Sequence, residues 1–422
     1  MSFLRSRMGL TPEVLSPPCP AERGDIVTEE TGIRPPAGGD VAVTPLVKED
    51  DRVGAGDAVA CLRTAPDICL AAPVAGRVAR ISLRPGRRLD EIVIYREPGE
   101  GGATHDLAAA RSAAGLRRLF QAAGAWPWFG RRPFGGMPAP AEVPAAIFVM
   151  ASDTRPHAPD PVEEITGREE ALARGLTALA TLAGGTVFVC WPGNAPTPSL
   201  DLGDVDIRWI RCGPRHPQGS AGIRIHQCCP AGLDAAVWDI HAGDVAALGE
   251  MLATGVLPMT RAVRIAGPGL AEGRSLTTHV GADLRQLTQR ITAPGPHTLV
   301  SGSALDGQPA RWLGPRDRQI TVLPRDTAPT RPHWLIAALT DRAGSRPAIP
   351  TAALDQSLGG GVPAAPFIRA LGAGNDEAAM SMGLLSLLEE DIALTDYVLG
   401  AGGEIAGQLR AMLERIRTEY AA

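Results

Sequence analysis

Lysine is almost missing from this chain. Of 41 cationic side chains only Lys48 is a lysine, and Glu49 follows it. The Gly-Lys-Ser/Thr of a phosphate-binding P-loop therefore cannot form, which excludes nucleotide hydrolysis by that route. Aromatic residues make up only 4% of the chain, and no H-E-x-x-H, G-x-S-x-G or C-x-x-C occurs, so the common zincin, esterase-elbow and thiol-redox motifs are absent. The seven cysteines are an odd number without regular spacing, and no continuous apolar run follows Arg5 and Arg7; secretion is not expected. No cysteine lies beyond Cys229, so the last 193 residues cannot hold an iron–sulfur cluster on thiolates. The longest uncharged stretch, residues 175–200, is broken by Gly184-Gly185 and Pro192-Gly193-Asn194 into a helix end, a strand and a loop, and does not read as a membrane span.

What is present is ordinary for a folded protein. Apolar residues make up 45%, charged residues 21%, and the net charge is -5, which excludes a mostly disordered chain and offers no basic surface for nucleic acid. A length of 422 residues argues for two to four domains at roughly 100–200 residues each. Residues 40–95 alternate short apolar runs with turn signals and read as small β structure. Their pattern, V-x-x-G-D-x-V followed by A-P-V-x-G-x-V, resembles the barrel-sandwich hybrid of biotinyl and lipoyl carriers; the corresponding turn, near Thr64 to Ile68, has no lysine, so a covalent swinging arm is excluded.

Residues 107–123 carry apolar side chains near helical period and predict a helical connector ended by Gly124. The stretch Trp126-Pro127-Trp128-Phe129-Gly130-Arg131-Arg132-Pro133-Phe134 reads as a loop packed on a domain or as a partner surface, because two prolines interrupt it. Apolar runs at Ala145-Ala146-Ile147-Phe148-Val149, 186–190, 205–211 and Val237-Trp238-Asp239-Ile240 predict buried strands. They alternate with helices over 163–182 and 244–254, the latter capped by Gly255, which predicts a parallel sheet in a Rossmann-like α/β domain. Residues 262–325 return to short strands with an Asp306-Gly307 hairpin signal. From Ala378 the pattern is helical, with Ile405, Leu409, Met412, Leu413 and Ile416 on one face.

Chemistry-bearing clusters are sparse. Gly267-Pro268-Gly269 with Gly273 does not match G-x-G-x-x-G and reads as a turn. Cys228-Cys229 read as neighbouring strand residues pointing to opposite faces, hence structural, with a redox or metal role as the alternative. The acidic runs Glu163-Glu164, Glu169-Glu170 and Glu389-Glu390-Asp391 read as solvated helix faces. The Gly- and Pro-rich residues 213–226 suit a loop that brings backbone N–H groups near an acidic or carbonyl ligand or another subunit, with a surface loop around a core histidine as the alternative.

Taken in order, these segments resemble one family: NqrA, the A subunit of the sodium-translocating NADH:quinone reductase, related to the C subunit of the Rnf complex and the NADH-binding flavoprotein subunit of complex I. The resemblance rests on residues 53–78, the run ending Arg132-Pro133-Phe134, Ile147-Phe148-Val149 with Asp153-Thr154, residues 213–226, Val237-Trp238-Asp239-Ile240, residues 300–307, and Leu388-Glu389-Glu390-Asp391-Ile392-Ala393-Leu394. It implies an α/β multidomain chain: a barrel-sandwich hybrid domain over 25–102, a helical connector and Rossmann-like domain over 103–261, a β-grasp, SLBB-like domain over 262–330, and a helical domain over 331–422. It implies a peripheral subunit on the cytoplasmic, inner face of the bacterial cell membrane, in a complex that couples NADH oxidation and ubiquinone reduction to sodium export. This chain would hold no redox cofactor, metal or catalytic residue; NADH, FAD, FMN, riboflavin, iron–sulfur groups and ubiquinone would act on or through other subunits. In the cluster-bearing relatives FMN sits on a glycine-rich loop, where this chain has arginines, proline and phenylalanine between Gly130 and Gly136. The expected partners are the membrane and peripheral subunits, especially the B subunit, with ubiquinone as a further candidate. The expected contact residues are Arg131, Arg132, Phe134, Gly213, His216, Pro217, Gly219, Gly222 and His226. Residues 343–366 match the family poorly. Two other readings stay open: a ligand-binding or scaffold paralogue outside a sodium pump, and a free-standing NADH- or flavin-binding oxidoreductase.

Overall fold

The computed structural model describes residues 8–20, 23–35, 39–99, 101–325 and 350–420. Strand β1 (Arg23–Asp25) is followed by seven short strands: β2 (Glu30–Ile33), β3 (Val43–Pro45), β4 (Arg52–Val53), β5 (Ala58–Leu62), β6 (Cys69–Ala71), β7 (Gly76–Arg84) and β8 (Arg88–Arg96). The last seven form two sheets, β2-β8-β7-β4 and β3-β5-β6. Their inward residues, among them Val43, Val59, Val78, Leu89, Ile92 and Ile94, close a common apolar core. This is the barrel-sandwich body. β1 is not part of it: it pairs in parallel with a strand some 250 residues on, Arg23 opposite Ser275.

Helix α1 (Ala113–Ala122) begins six residues later than the apolar periodicity suggests, where the Ser112 hydroxyl accepts from the Gly115 N–H at 3.1 Å. The Trp126–Phe134 stretch departs from its sequence reading. It forms a 3-10 turn at Trp126–Trp128 and strand β9 (Gly130–Arg132), and its aromatics are interior. Trp126 donates its indole N–H to the Pro138 carbonyl at 2.9 Å, and its ring meets Trp238 edge-on at 5.4 Å, so its polar edge is satisfied inside the core.

The centre contains β10 (Ala146–Met150), α2 (Pro161–Ile165), α3 (Glu169–Ala183), β11 (Val187–Pro192), β12 (Ile207–Cys212), α4 (Ala221–Cys228), β13 (Val237–His241) and α5 (Ala242–Thr254). The one helix expected over 163–182 is two, separated at Gly167, whose φ of +80° suits glycine. Cys228 ends a helix, which corrects the strand reading of Cys228-Cys229. The sheet order is β12-β11-β10-β13-β9, parallel except for the antiparallel edge β9. Both faces of β10 are buried, which is why its sequence is an unbroken apolar run. From β10 the chain steps outward to β11 and β12, then returns to β13 on the other side, so the connections diverge at the carboxyl ends of β10 and β13.

Next comes a mixed sheet of β14 (Thr260–Ala266), β15 (Arg274–His279), β16 (His297–Ser301), β17 (Gln308–Pro309) and β18 (Gln319–Pro324), with α6 (Leu284–Thr288) between β15 and β16. Its order is β1-β15-β14-β18-β16-β17. The chain ends in α7 (Ala352–Ser357), α8 (Ala364–Ala373), α9 (Asp376–Ser381), α10 (Glu389–Leu399) and α11 (Glu404–Tyr420), packed on Leu354, Phe367, Ile392, Leu409 and Leu413. The helical unit thus begins before Ala378. The expected domain limits at 330 and 331, and residues 343–349 of the poorly matching stretch, lie outside the described residues. Among the described residues no helix is long and apolar enough to cross a membrane.

Candidate functional site

In a parallel sheet of this order, the crevice at the diverging strand ends is where a ligand would sit. Here the mixed sheet fills it. Arg318, immediately before β18, donates Nε to Glu164 Oε2 of α2 at 2.9 Å and Nη2 to Asp244 Oδ1 of α5 at 2.9 Å. Arg261 of β14 approaches the same Asp244 oxygen at 3.5 Å and lies over the Trp128 ring at 5.7 Å. All four charged side chains are buried. Burial alone would lower Arg318, but Asp244 and Glu164 outweigh it and hold the guanidinium above its ordinary value. Arg261, more weakly paired, is brought by burial down to about 10. His241, the last residue of β13, accepts the Gly243 N–H on Nδ1 at 3.0 Å and so caps α5. Burial, then the nearby Arg318 and Arg261, keep it neutral, well below its usual range.

A second, half-buried cluster lies along the loop after β10. Arg155 pairs with Asp153 at 2.5 Å and reaches Asp306, on the hairpin between β16 and β17, at 3.0 Å. Thr154 Oγ1 accepts the Gly219 N–H at 2.9 Å and bonds His216 Nδ1 at 3.2 Å. Burial pushes His216 down to about 4. Its backbone exchanges two hydrogen bonds with Leu10, at 2.7 and 2.9 Å.

The third cluster corrects the expectation that Arg132 and Phe134 form a contact surface. The Arg132 side chain is 0% exposed. It pairs with Asp239 of β13, with Glu390 at 2.8 Å and with Asp391 at 3.3 Å, while Arg316 takes the other Asp239 oxygen. Asp391 also accepts the N–H of Gly222 and of Leu388, each at 2.9 Å. A residue expected to be a solvated helix-face acid instead caps two backbone segments from inside. Phe134 is 6% exposed and belongs to the core of the helical unit together with Ile223 of α4. Its carbonyl accepts Arg410 Nη1 at 2.9 Å.

Of the nine expected contact residues, the fold brings Arg132 and Gly222 together on Asp391, and His216 and Gly219 together on Thr154. Gly213, His216 and Pro217 are buried, and residues 221–226 are helix and not loop. The His226 ring packs where a Gly383 side chain would be. Only Arg131 keeps a partly exposed charge, and Glu142 holds it at 2.6 Å. Glu164, read as part of a solvated helix face, is instead buried against Arg318; Asp244, Arg261 and Arg318 carried no sequence signal of their own, and Asp239, a lone acid inside an apolar strand, did.

Gly222 tests the third cluster directly. A Cβ there would run into the Asp391 carboxylate and the Ser386 carbonyl, so Gly222→Ala is expected to destabilise by about 1–3 kcal/mol. Gly407, on an exposed face of α11 with nothing within 4 Å of a Cβ, should gain roughly 0.5–1 kcal/mol on the same change. Urea midpoints of the two variants should move in opposite directions.

An apolar cleft lies where the barrel, the connector and the mixed sheet meet. Its walls include Ile33, Leu70, Trp128, Met259 and Leu313, with Arg34 among the lining residues. Its space is about 490 Å³ with open solvent included, of which about 50 Å³ is enclosed enough to hold water-sized groups.

Comparison with known proteins agrees with this architecture. Residues 28–97 match the NqrA N-terminal barrel-sandwich hybrid domain, and residues 111–257 the NqrA second alpha/beta domain. The A subunit of the Na(+)-translocating NADH-quinone reductase of Alcanivorax borkumensis is 31% identical over 90% of this chain and 93% of its own length. That of Klebsiella pneumoniae is 30% identical over 97% of both. Among solved structures, a chain of NAD+-reducing NiFe hydrogenase in the H2-reduced state covers 74% of this chain and 65% of its own length. It does so at 11% identity with a TM-score of 0.38, a likeness too slight to build on.

Proposed function

We propose that this chain, which belongs to the NqrA family of the Na(+)-translocating NADH-quinone reductase, is a peripheral subunit of such a complex, shaping its quinone end and carrying no redox group of its own. The observation that carries this reading is the match to NqrA relatives over about nine-tenths of the chain. The strand order β12-β11-β10-β13 supports a Rossmann-like reading of the centre, and the mixed sheet around α6 supports an SLBB-like, β-grasp reading of the next domain. The lack of a spanning helix among the described residues fits a chain that docks on membrane partners, the B subunit first, at the cytoplasmic face.

A flavin or dinucleotide does not fit the residues present. The crevice that would take it is filled by Arg318 and Arg261 on their own carboxylates. At the stretch corresponding to the flavin loop of the cluster-bearing relatives, the space beside Gly130 is taken by Arg316 and Asp239. No step is therefore routed through such a group here. The three ion clusters instead join the central sheet to the mixed sheet and the helical unit, which suits a chain whose work is to hold a shape. Ubiquinone, if it touches this chain, is best matched by the apolar cleft beside Arg34.

Removing this chain from the purified complex should abolish sodium-stimulated quinone reduction, and adding it back should restore it. Unchanged activity in the depleted complex contradicts the proposal.

A further inference from the structure

Seven free thiols are present, and two of them face each other across one hairpin. In the antiparallel pair β5–β6, Cys61 lies directly opposite Cys69. The next pair toward the turn is hydrogen-bonded, Leu62 N–H to the Ile68 carbonyl at 3.0 Å. Because the two kinds of pair alternate, Cys61 and Cys69 form a non-hydrogen-bonded pair, in which Cα atoms approach to about 4.5 Å. That spacing falls inside the roughly 4.4–6.8 Å range a disulfide spans without backbone movement. In this state the Cys69 thiol donates to the Pro66 carbonyl at 3.9 Å. We propose that Cys61 and Cys69 are a thiol modification site that closes to a reversible cross-strand disulfide.

The other cysteines offer no equal. Cys190 and Cys212 share one apolar cluster, but both are almost wholly buried, at 0% and 1% exposure. Cys228 is exposed at the end of α4. Cys69 is partly exposed and Cys61 is 8% exposed, so a small reagent reaches Cys69 first and Cys61 completes the reaction. With a low-molecular-weight disulfide as oxidant, the Cys69 thiolate attacks one sulfur, giving a mixed disulfide and releasing one small thiolate. The Cys61 thiolate then attacks Cys69 sulfur and displaces the second. The protein loses two thiol protons, which the two released thiolates take up, and two electrons pass from the cysteine pair to the reagent. Burial, with the Cys61 thiol beside it, pushes Cys69 up to about 12. The attacking thiolate is therefore scarce near neutral pH, and closure should quicken by about tenfold per pH unit. The hairpin matters beyond itself, because Leu70 and Ala71 of β6 wall the open cleft. A covalent bridge at Cys69 would stiffen that wall.

Arg63 stands between the two cysteines, which makes the test simple. The folded full-length chain is incubated with glutathione disulfide, its free thiols are alkylated, and it is digested with trypsin. The expected product joins residues 53–63 to residues 64–77 through one disulfide, with two of the seven thiols lost, and dithiothreitol separates the halves. In Cys61→Ser the linked product should vanish and glutathione should remain on Cys69. Recovery of both wild-type peptides fully alkylated while Cys228 is glutathionylated overturns the proposal. So does a lasting glutathione adduct on wild-type Cys69, or a linked product seen only after denaturation.

Discussion

Arg132→Ala is expected to lower the unfolding free energy by about 3–5 kcal/mol, the usual result of removing one partner from a buried ion cluster. Arg132 is the centre of its cluster. Burial disfavours its charge, yet Asp239, Asp391 and Glu390 together hold it above its ordinary value. Without it Asp391 is left inside the protein with only the Gly222 and Leu388 N–H donors, and Asp239 with only Arg316. The loss should spread, because the same carboxylate ties β9, the start of α4 and the start of α10. Urea unfolding of the purified variant measures it. Adding Asp391→Asn removes the stranded charge and should recover part of the loss, and the coupling in that double-mutant cycle separates the ion pair from general damage. An Arg132 variant as stable as the parent would return this residue to the surface role read from the sequence.

The second large effect is on acid stability. His216 and His279 are both brought by burial to about 4 from an ordinary value of 6.5. In His279 the hydrogen bonds fix the neutral ring: Nε2 accepts the Thr28 N–H at 3.3 Å, and Nδ1 donates to the Val280 carbonyl at 2.9 Å. Between about pH 6.5 and 4 the unfolded chain binds protons at these rings and the folded chain does not. Stability from this source is therefore complete above 6.5, falls as pH drops through the window, and costs about 3 kcal/mol per histidine by its lower end. Asp391 runs the other way. Burial raises its carboxyl against the pull of Arg132 and two backbone donors, so protonation favours the fold there and offsets part of the loss at the acid end. Urea midpoints measured from pH ~7.5 to ~4.5 should hold level above about 6.5 and fall below it, and His279→Gln should flatten the curve. A midpoint independent of pH across that range contradicts the buried neutral assignment.

Strands β10, β11 and β13 were legible because both faces of each are covered, which leaves an apolar run in the sequence; β12, expected to be buried, is a half-exposed edge strand. The Gly255 cap of α5 was legible for a local reason too, its left-handed φ of 79°. What escaped the sequence depends on partners far along the chain. Arg132 reads as a surface cation until its counterions arrive from positions 239, 390 and 391. Residues 221–226 read as loop because the segment leading into them is rich in Gly and Pro; in the fold Ser220 makes no side-chain cap, and Asp391 accepts the Gly222 N–H instead. The filling of the crevice by Arg318 is likewise invisible locally, since nothing near 318 indicates Glu164 or Asp244.

The most direct test of a shape-holding role is to purify this chain alone, record its visible absorption, and titrate it with FMN and with NADH by calorimetry. The expected result is a colourless protein with no saturable heat for either ligand. A yellow protein with stoichiometric flavin, or saturable nucleotide binding that Arg318→Ala strengthens, would contradict it.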